Sequence, residues 1–293
     1  MFSHGTDGTS IARAARAREL KTDASPAADL LGFYAALADY QQLLVEQGDA
    51  GAAGEAAGSL LDAIDAEWVA SAARDLVLWL VQLKPDTTSA PGVVPPGLRA
   101  SAEAMGDVAV EAWRALFESY RAQPEESTDR LSEAALFTLE AILQPIAERL
   151  AVARLACGAN PSGSRGEPDK ARPTASRCPL CGGAPVVGVL REAGHGARRR
   201  LVCGLCFTEW DYLRLVCVKC GEQRFDALPV FSAEQFPHAR IEACDTCRSY
   251  LKTVDATRDG RAIPVVDDLA SVALDLWARE QGYVRVRANL VRI

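Results

Sequence analysis

CPLCGGAPVVGVLREAGHGARRRLVCGLC, residues 178–206, begins and ends on a Cys-x-x-Cys knuckle, and CVKC at 217–220 and CDTC at 244–247 follow it. Eight of the nine cysteines fall in these four pairs: Cys178/Cys181, Cys203/Cys206, Cys217/Cys220 and Cys244/Cys247. A two-residue gap lets both thiolates of a knuckle point at one ion while the intervening N–H groups turn toward the sulfurs. Two knuckles then complete the tetrahedral four-sulfur set taken by zinc or by a rubredoxin-like iron. Four knuckles predict two metal ions, iron or zinc, each in a four-cysteine site. Intervals of 21, 10 and 23 residues separate successive knuckles, and the first and third end in Cys-Gly while the second and fourth do not. Gly182 and Gly221 supply the positive φ that closes such a turn. The alternation predicts two tandem copies of one unit, Cys178/Cys181 with Cys203/Cys206 and Cys217/Cys220 with Cys244/Cys247. The modules would cover about 178–212 and 213–255. The alternative is cross-braced, first knuckle with third and second with fourth.

The chain has 293 residues, 49% hydrophobic and 24% charged, a composition suited to a soluble protein of roughly two domains. Its first twenty residues hold no apolar core of a secretory signal, and the densest apolar run, Leu76 to Leu83, is too short for a bilayer. A cytoplasmic protein without a membrane span is expected, and there CxxC pairs read as metal ligands before disulfides. The net charge of −7 is uneven: from residue 171 onward there are 18 Lys+Arg against 14 Asp+Glu, and before it 14 against 25. Four thiolates around one divalent ion leave an anionic centre, so the basic residues near the knuckles offset it. That explanation, with the acidic total, argues against nucleic acid as a partner.

The first half reads as helical, and the expected fold is an all-α domain over 1–157, a linker at 158–177, and a metal-ribbon part over 178–293. The last would hold two tandem rubredoxin or zinc-ribbon-like four-cysteine modules and a C-terminal helix. Leu30, Tyr34, Leu37, Gln41 and Leu44 recur at helical spacing, with Ser25 as N-cap and Pro26 in the first turn. A second helix is predicted over 58–83, a Pro/Gly-rich connection over 86–96, and a third helix over 98–121 ended by Pro124. A fourth starts at Thr128 or Asp129 and carries Leu131, Ala135, Leu139, Leu143, Ile146 and Leu150, with Pro145 kinking or splitting it. The linker, GANPSGSRGEPDKARPTASR, is rich in Gly, Pro, Ser and charge. Beyond it, strands are predicted at 185–190, 200–203 and 212–217, and a helix over 264–281 with Leu269, Val272, Ala273 and Leu276 as its apolar stripe beside Trp277.

No phosphate-binding GxxxxGK[ST], HExxH or GxSxG motif occurs. Filled four-thiolate sites leave no open coordination position, so no catalytic or other cofactor-binding residue is assigned and no enzyme is expected. Cys157 is expected as a buried small hydrophobe and His195 as an exposed hairpin tip. His4 and His238 have no acid or base partner nearby in sequence. Arg198 to Arg200 are expected on a solvated hairpin, and Trp210 in the core.

At these residues the chain resembles the formate dehydrogenase accessory proteins of the FdhE family. CPLCGGAPVVGVL (178–190), LVCGLCFTEWDYLRLVCVKCG (201–221), ACDTCRSYLKTVD (243–255) and IPVVDDLASVALDLWAREQGY (263–283) carry the resemblance, with LLGFYAALADYQQ (30–42) for the first long helix. The resemblance implies a cytoplasmic, non-catalytic maturation chaperone needed for active formate dehydrogenase, with the enzyme's catalytic subunit as partner. It also implies two metal ions in rubredoxin-like modules, held by the eight knuckle cysteines. Two other readings of the knuckles stay open: a rubredoxin-like electron carrier with iron on four thiolates, and a zinc-ribbon nucleic-acid binder. A homo-oligomer also stays open.

Overall fold

The computed structural model describes residues 9–22, 25–47, 59–83, 94–122, 132–158 and 175–292. His4, Pro124, the predicted start of the fourth helix at 128–129, most of the 86–96 connection and residues 159–174 of the linker lie outside them.

The first described helix, α1 (Ser10–Leu20), is one that hydrophobic periodicity does not reveal, because its buried face is Ser10, Arg13, Ala14, Arg16 and Ala17. Thr9 caps it by accepting from the Ala12 N–H. In α2 (Ala28–Glu46), Tyr34, Leu37, Gln41 and Leu44 are buried, as the spacing predicts, whereas Leu30 is only half-buried and its neighbour Leu31 takes the core position. Ser25 is not its N-cap. The Ser25 hydroxyl accepts from Ala27 N in a turn ahead of the helix, and Pro26 lies in that turn. The predicted helix over 58–83 is two pieces, a 3-10 turn (Leu60–Ala63) with a Ser59/Asp62 capping box and α3 (Ala66–Gln82) capped by Asp65. The expected third helix likewise divides, into α4 (Pro96–Met105) and α5 (Val110–Ala122).

The longest helix, α6 (Glu133–Ala156), runs continuously through Pro145, where the sequence predicts a kink or split. Proline has no N–H to give the carbonyl four residues back, which here is Ala141. Gln41 of α2, fully buried, supplies the missing donor: its Nε2 lies 2.8 Å from that oxygen. The helical core forms where α2, α3 and α6 meet, around Leu37, Leu76, Leu139 and Ile142.

The cysteine-rich half is one mixed sheet of seven strands: β1 (Pro185–Ala193), β2 (Gly196–Cys203), β3 (Glu209–Asp211), β4 (Val230–Ser232), β5 (Ala239–Cys244), β6 (Ser249–Asp255) and β7 (Val284–Arg285). Its order is β3-β2-β1-β6-β5-β4, with β7 also on β6. The two modules are therefore both present, but their sheets are fused edge to edge. The seam is a parallel pairing of Gly188, Val189 and Leu190 with Thr253, Val254 and Asp255. Gly188 is the residue that permits it, since a Cβ there would lie 2.5 Å from Thr253 Oγ1. Residues 212–217 are not the strand expected; the third strand of the first module lies earlier, at Glu209–Asp211.

The C-terminal helix is also in two parts, α7 (Pro264–Ala270) and α8 (Val272–Glu280), broken at Ser271. Leu274, Asp275 and Ala278 face inward, and Leu276, assigned to the apolar stripe, is 53% exposed. Beneath the break, fully buried Lys252 donates to the Asp268 carbonyl at 2.5 Å and contacts the Ser271 hydroxyl at 3.3 Å. The same ammonium reaches Asp275 at 2.5 Å and the Asp268 carboxylate at 3.2 Å. Arg285 meets those two carboxylates at 2.8 and 2.5 Å, so two buried cations face two buried anions. Arg16 of α1 ties the helices to this region through Asp267 at 2.6 Å and Asp259 at 2.8 Å.

Candidate metal centres

Both modules begin with the same turn. Gly182 N donates to Cys178 O and Cys178 N to Gly183 O, each at 2.9 Å; Gly221 N donates to Cys217 O at 3.0 Å and Cys217 N to Glu222 O at 2.8 Å. The glycines after the second cysteine have φ of +74° and +77°. The second and fourth knuckles need the same left-handed residue and use Phe207 (φ 54°) and Arg248 (φ 53°) for it. Such backbone costs a non-glycine residue about 1 kcal/mol or more. Each of the two has a compensating contact: Arg13 of α1 lies 4.3 Å over the Phe207 ring, and the Arg248 guanidinium lies 3.9 Å over Tyr283. Sequence reasoning misses both residues. The signal available is their position one past the second cysteine, equivalent to Gly182 and Gly221.

The turns gather the eight sulfurs into two groups, Cys178, Cys181, Cys203 and Cys206, then Cys217, Cys220, Cys244 and Cys247, each group within 4.8 Å. The tandem pairing is thus the one adopted, and the cross-braced one is not. In the first centre Sγ atoms approach at 3.5 Å (Cys178 to Cys206), 3.3 Å (Cys181 to Cys203) and 3.5 Å (Cys181 to Cys206). In the second they stand 3.7 Å apart for Cys217 to Cys247 and for Cys220 to Cys244. Four sulfurs about 2.3 Å from a central ion form a tetrahedron with edges of about 3.8 Å. The second centre matches that edge and the first is slightly tighter, so both donor sets can hold a tetrahedral metal ion.

Electrostatics agree with that fit. Hydrogen bonding from Cys178 pushes the Cys181 thiol well up, and burial does the same to Cys206. Burial also opposes ionisation of Cys203, but hydrogen bonds from Cys178, Cys181 and Cys206 outweigh it and hold that thiol well below its ordinary range. In the second centre Cys247 comes down to about 7 against its desolvation, through the Ser249 hydroxyl at 2.9 Å and its neighbouring thiols. Four thiolates at these distances repel one another, and a divalent cation among them removes the conflict.

Surroundings distinguish the two centres. The four cysteines of the first are 0 to 4% exposed and belong to the same core as the helices. Gln144 of α6 donates to Gly204 O at 2.9 Å, and Arg287 joins Glu140 of α6 at 2.8 Å while packing on Gly204. The second centre lies outside that core: Cys220 is exposed and Cys247 half-buried. A cleft of about 120 Å³, lined by Leu215, Cys217, Val230 and Cys244 among others, adjoins it.

The remaining candidates divide. His195 is an exposed hairpin tip and Trp210 is buried, its indole N–H donating to Ala175 O. Cys157 is exposed rather than buried, at the C-cap of α6. Arg199 is not solvated: it is buried, 2.7 Å from Glu242 and 5.3 Å from the Tyr212 ring centre, because even positions of β2 and odd ones face opposite sides. His238 finds a partner that sequence distance hid, Asp267 at 3.0 Å.

Residues 177–214 match the family model described as "FdhE, central domain" and residues 215–291 the one described as "FdhE, C-terminal domain". A curated "Protein FdhE homolog" from Aquifex aeolicus is 42% identical over 116 residues, 39% of this chain and 41% of that protein. The homolog from Pseudomonas aeruginosa is 38% identical over 119 residues, 39% of this chain and 38% of that protein. Across these alignments the chain spans about two fifths of the relatives' length. The crystal structure of the FdhE protein from Pseudomonas aeruginosa has the same fold, at a TM-score of 0.67 and 25% identity, over 99% of this chain and 98% of that one. Residues 177–291 of this chain are thus similar to the central and C-terminal domains of the FdhE family, where the sequence carries most of its resemblance.

Proposed function

We propose that this protein is an accessory protein of formate dehydrogenase maturation, not itself an enzyme, that holds the catalytic subunit of that enzyme during its assembly. The observation that carries this reading is the pair of complete four-cysteine clusters within the family-matched residues. Eight thiolates, Cys178, Cys181, Cys203, Cys206, Cys217, Cys220, Cys244 and Cys247, would ligate two iron or zinc ions, and a site closed by four protein ligands has no position for substrate. The ions then serve to shape a surface. Exposed Leu213, Leu215, Phe225 and Val230 near the second centre support a partner-facing role for that surface. We place the protein in the cytoplasm; no described helix is long and apolar enough to cross a membrane. We divide it into a helical domain at 1–157, a linker at 158–177 and the metal-binding part at 178–293.

The test is deletion of the gene in its own host. Formate dehydrogenase polypeptide should still be made while its activity is lost, and tagged protein purified without air should bring down the catalytic subunit. Normal formate dehydrogenase activity in the deletion strain would overturn the assignment. A second reading, electron transfer through iron held by four thiolates, is favoured by the exposure of Cys220 alone. Colourless, zinc-loaded protein excludes it.

A further inference from the structure

The two centres differ in what must move before an incoming ligand can touch the metal. In the first, every sulfur is enclosed by the helical core, with Gln144 and Arg287 pinned across the Gly204 backbone. A Cβ on Gly183 would already lie 3.2 Å from the sulfurs of Cys181 and Cys203, so the knuckle backbone packs tightly against the cluster on that side. Exchange there requires the core to open locally. In the second, Cys220 is at the surface, Cys247 is half-buried, and the adjoining cleft is lined in part by Cys217 and Cys244. No opening of the core is required.

We propose that the second centre is the exchange site of the molecule, where a small thiol or a thiol-bearing metal carrier gains direct access to the ion, while the first keeps its ion as part of the fold. The inference rests on the reading that both four-cysteine clusters bind metal. The step is ligand substitution without change of oxidation state. An incoming thiol gives up its proton and its sulfur bonds to the ion as the bond to Cys220 Sγ breaks; the departing Cys220 thiolate takes up the proton. Repetition at Cys247, Cys217 and Cys244, with each departing thiolate taking up the proton of the thiol that replaces it, passes the ion to the carrier sulfurs, and the reverse sequence loads it.

The experiment uses the full chain loaded with zinc and kept free of air. Glutathione and a coloured zinc chelator are added together, and zinc release is followed in time while samples are alkylated and mapped by mass spectrometry. Two phases of one equivalent each are expected, the first about tenfold or more faster because it needs no local unfolding. Alkylation in the fast phase should fall on Cys217, Cys220, Cys244 and Cys247, with the first four cysteines protected. Cys220→Ser should remove the fast equivalent and leave the slow one; the wild-type alkylation map decides the matter if that variant does not fold. Release of both equivalents in one phase, or earlier alkylation of Cys178, Cys181, Cys203 and Cys206, overturns the proposal while leaving the metal reading intact. A chain that never loads two equivalents overturns both.

Discussion

Cys203 and Cys220 sit on turns of the same design, yet one is at the centre of the molecule and the other at its surface. The ligand type, the spacing and the knuckle hydrogen bonds repeat between the two modules. What differs is the neighbour. The first cluster backs onto α6 and α1, and the second, outside that core, is bordered by its own hairpin, by Tyr212 and the 214–216 stretch, and by Val230 of β4. A repeated module thus takes its properties from its packing, not from its donors. A metal ion held at either centre would supply folding free energy, and at the first centre that energy would also hold the helices to the sheet.

Cys203→Ser is the strongest way to break this contrast. It removes a ligand and disrupts a core shared with the helices, and should cost about 4 kcal/mol or more. Thermal unfolding followed by far-ultraviolet circular dichroism should show the helices melting early, whereas Cys220→Ser leaves the helical transition nearly in place. Equal damage from the two variants would erase the distinction.

Lys252→Met probes the floor under the second module. It leaves Asp268 and Asp275, both buried, with Arg285 as their remaining cation, and should cost about 3–5 kcal/mol. Urea unfolding should register this as a lowered midpoint with metal lost from the second centre first. Gln41→Leu probes the wall behind the first centre. With the Ala141 carbonyl and the Gln144 side chain both deprived of a donor, about 1–3 kcal/mol should go. A cost near zero would mean that the carbonyl opposite Pro145 needs no partner. The smallest effect is expected for Arg248→Gly. Relief of the left-handed backbone offsets loss of the exposed pair with Asp245 and of the stacking on Tyr283, and the unfolding free energy should change by less than about 1 kcal/mol.

The centres were legible because metal ligation fixes spacing: four CxxC pairs with a Cys-Gly alternation suffice to group Cys178, Cys181, Cys203 and Cys206 apart from the other four. The helices at 28–46 and 66–82 were legible because their buried positions are apolar and periodic. Helix α1 was not, because its buried face is arginine, and Arg13 and Arg16 are intelligible only once Glu148, Asp259 and Asp267 arrive from elsewhere in the chain. The break at Ser271 escaped for a similar reason, since Lys252 supplies its stabilising contacts from a strand. Relative exposure of the two centres was equally unreadable: it is set by α6, which lies some fifty residues upstream of the knuckle it covers.

Gly188 has one further consequence, for what the molecule shows its own copies. Two separate three-stranded ribbons would present four open sheet edges, each a template on which another chain could pair. The close approach that Gly188 allows consumes one edge from each ribbon. Among the described residues the edges that are left are short, three residues at β3 and at β4 and two at β7. A single hydrogen atom in place of a side chain thereby makes a duplicated, strand-rich segment safer to keep at high concentration in a crowded cell.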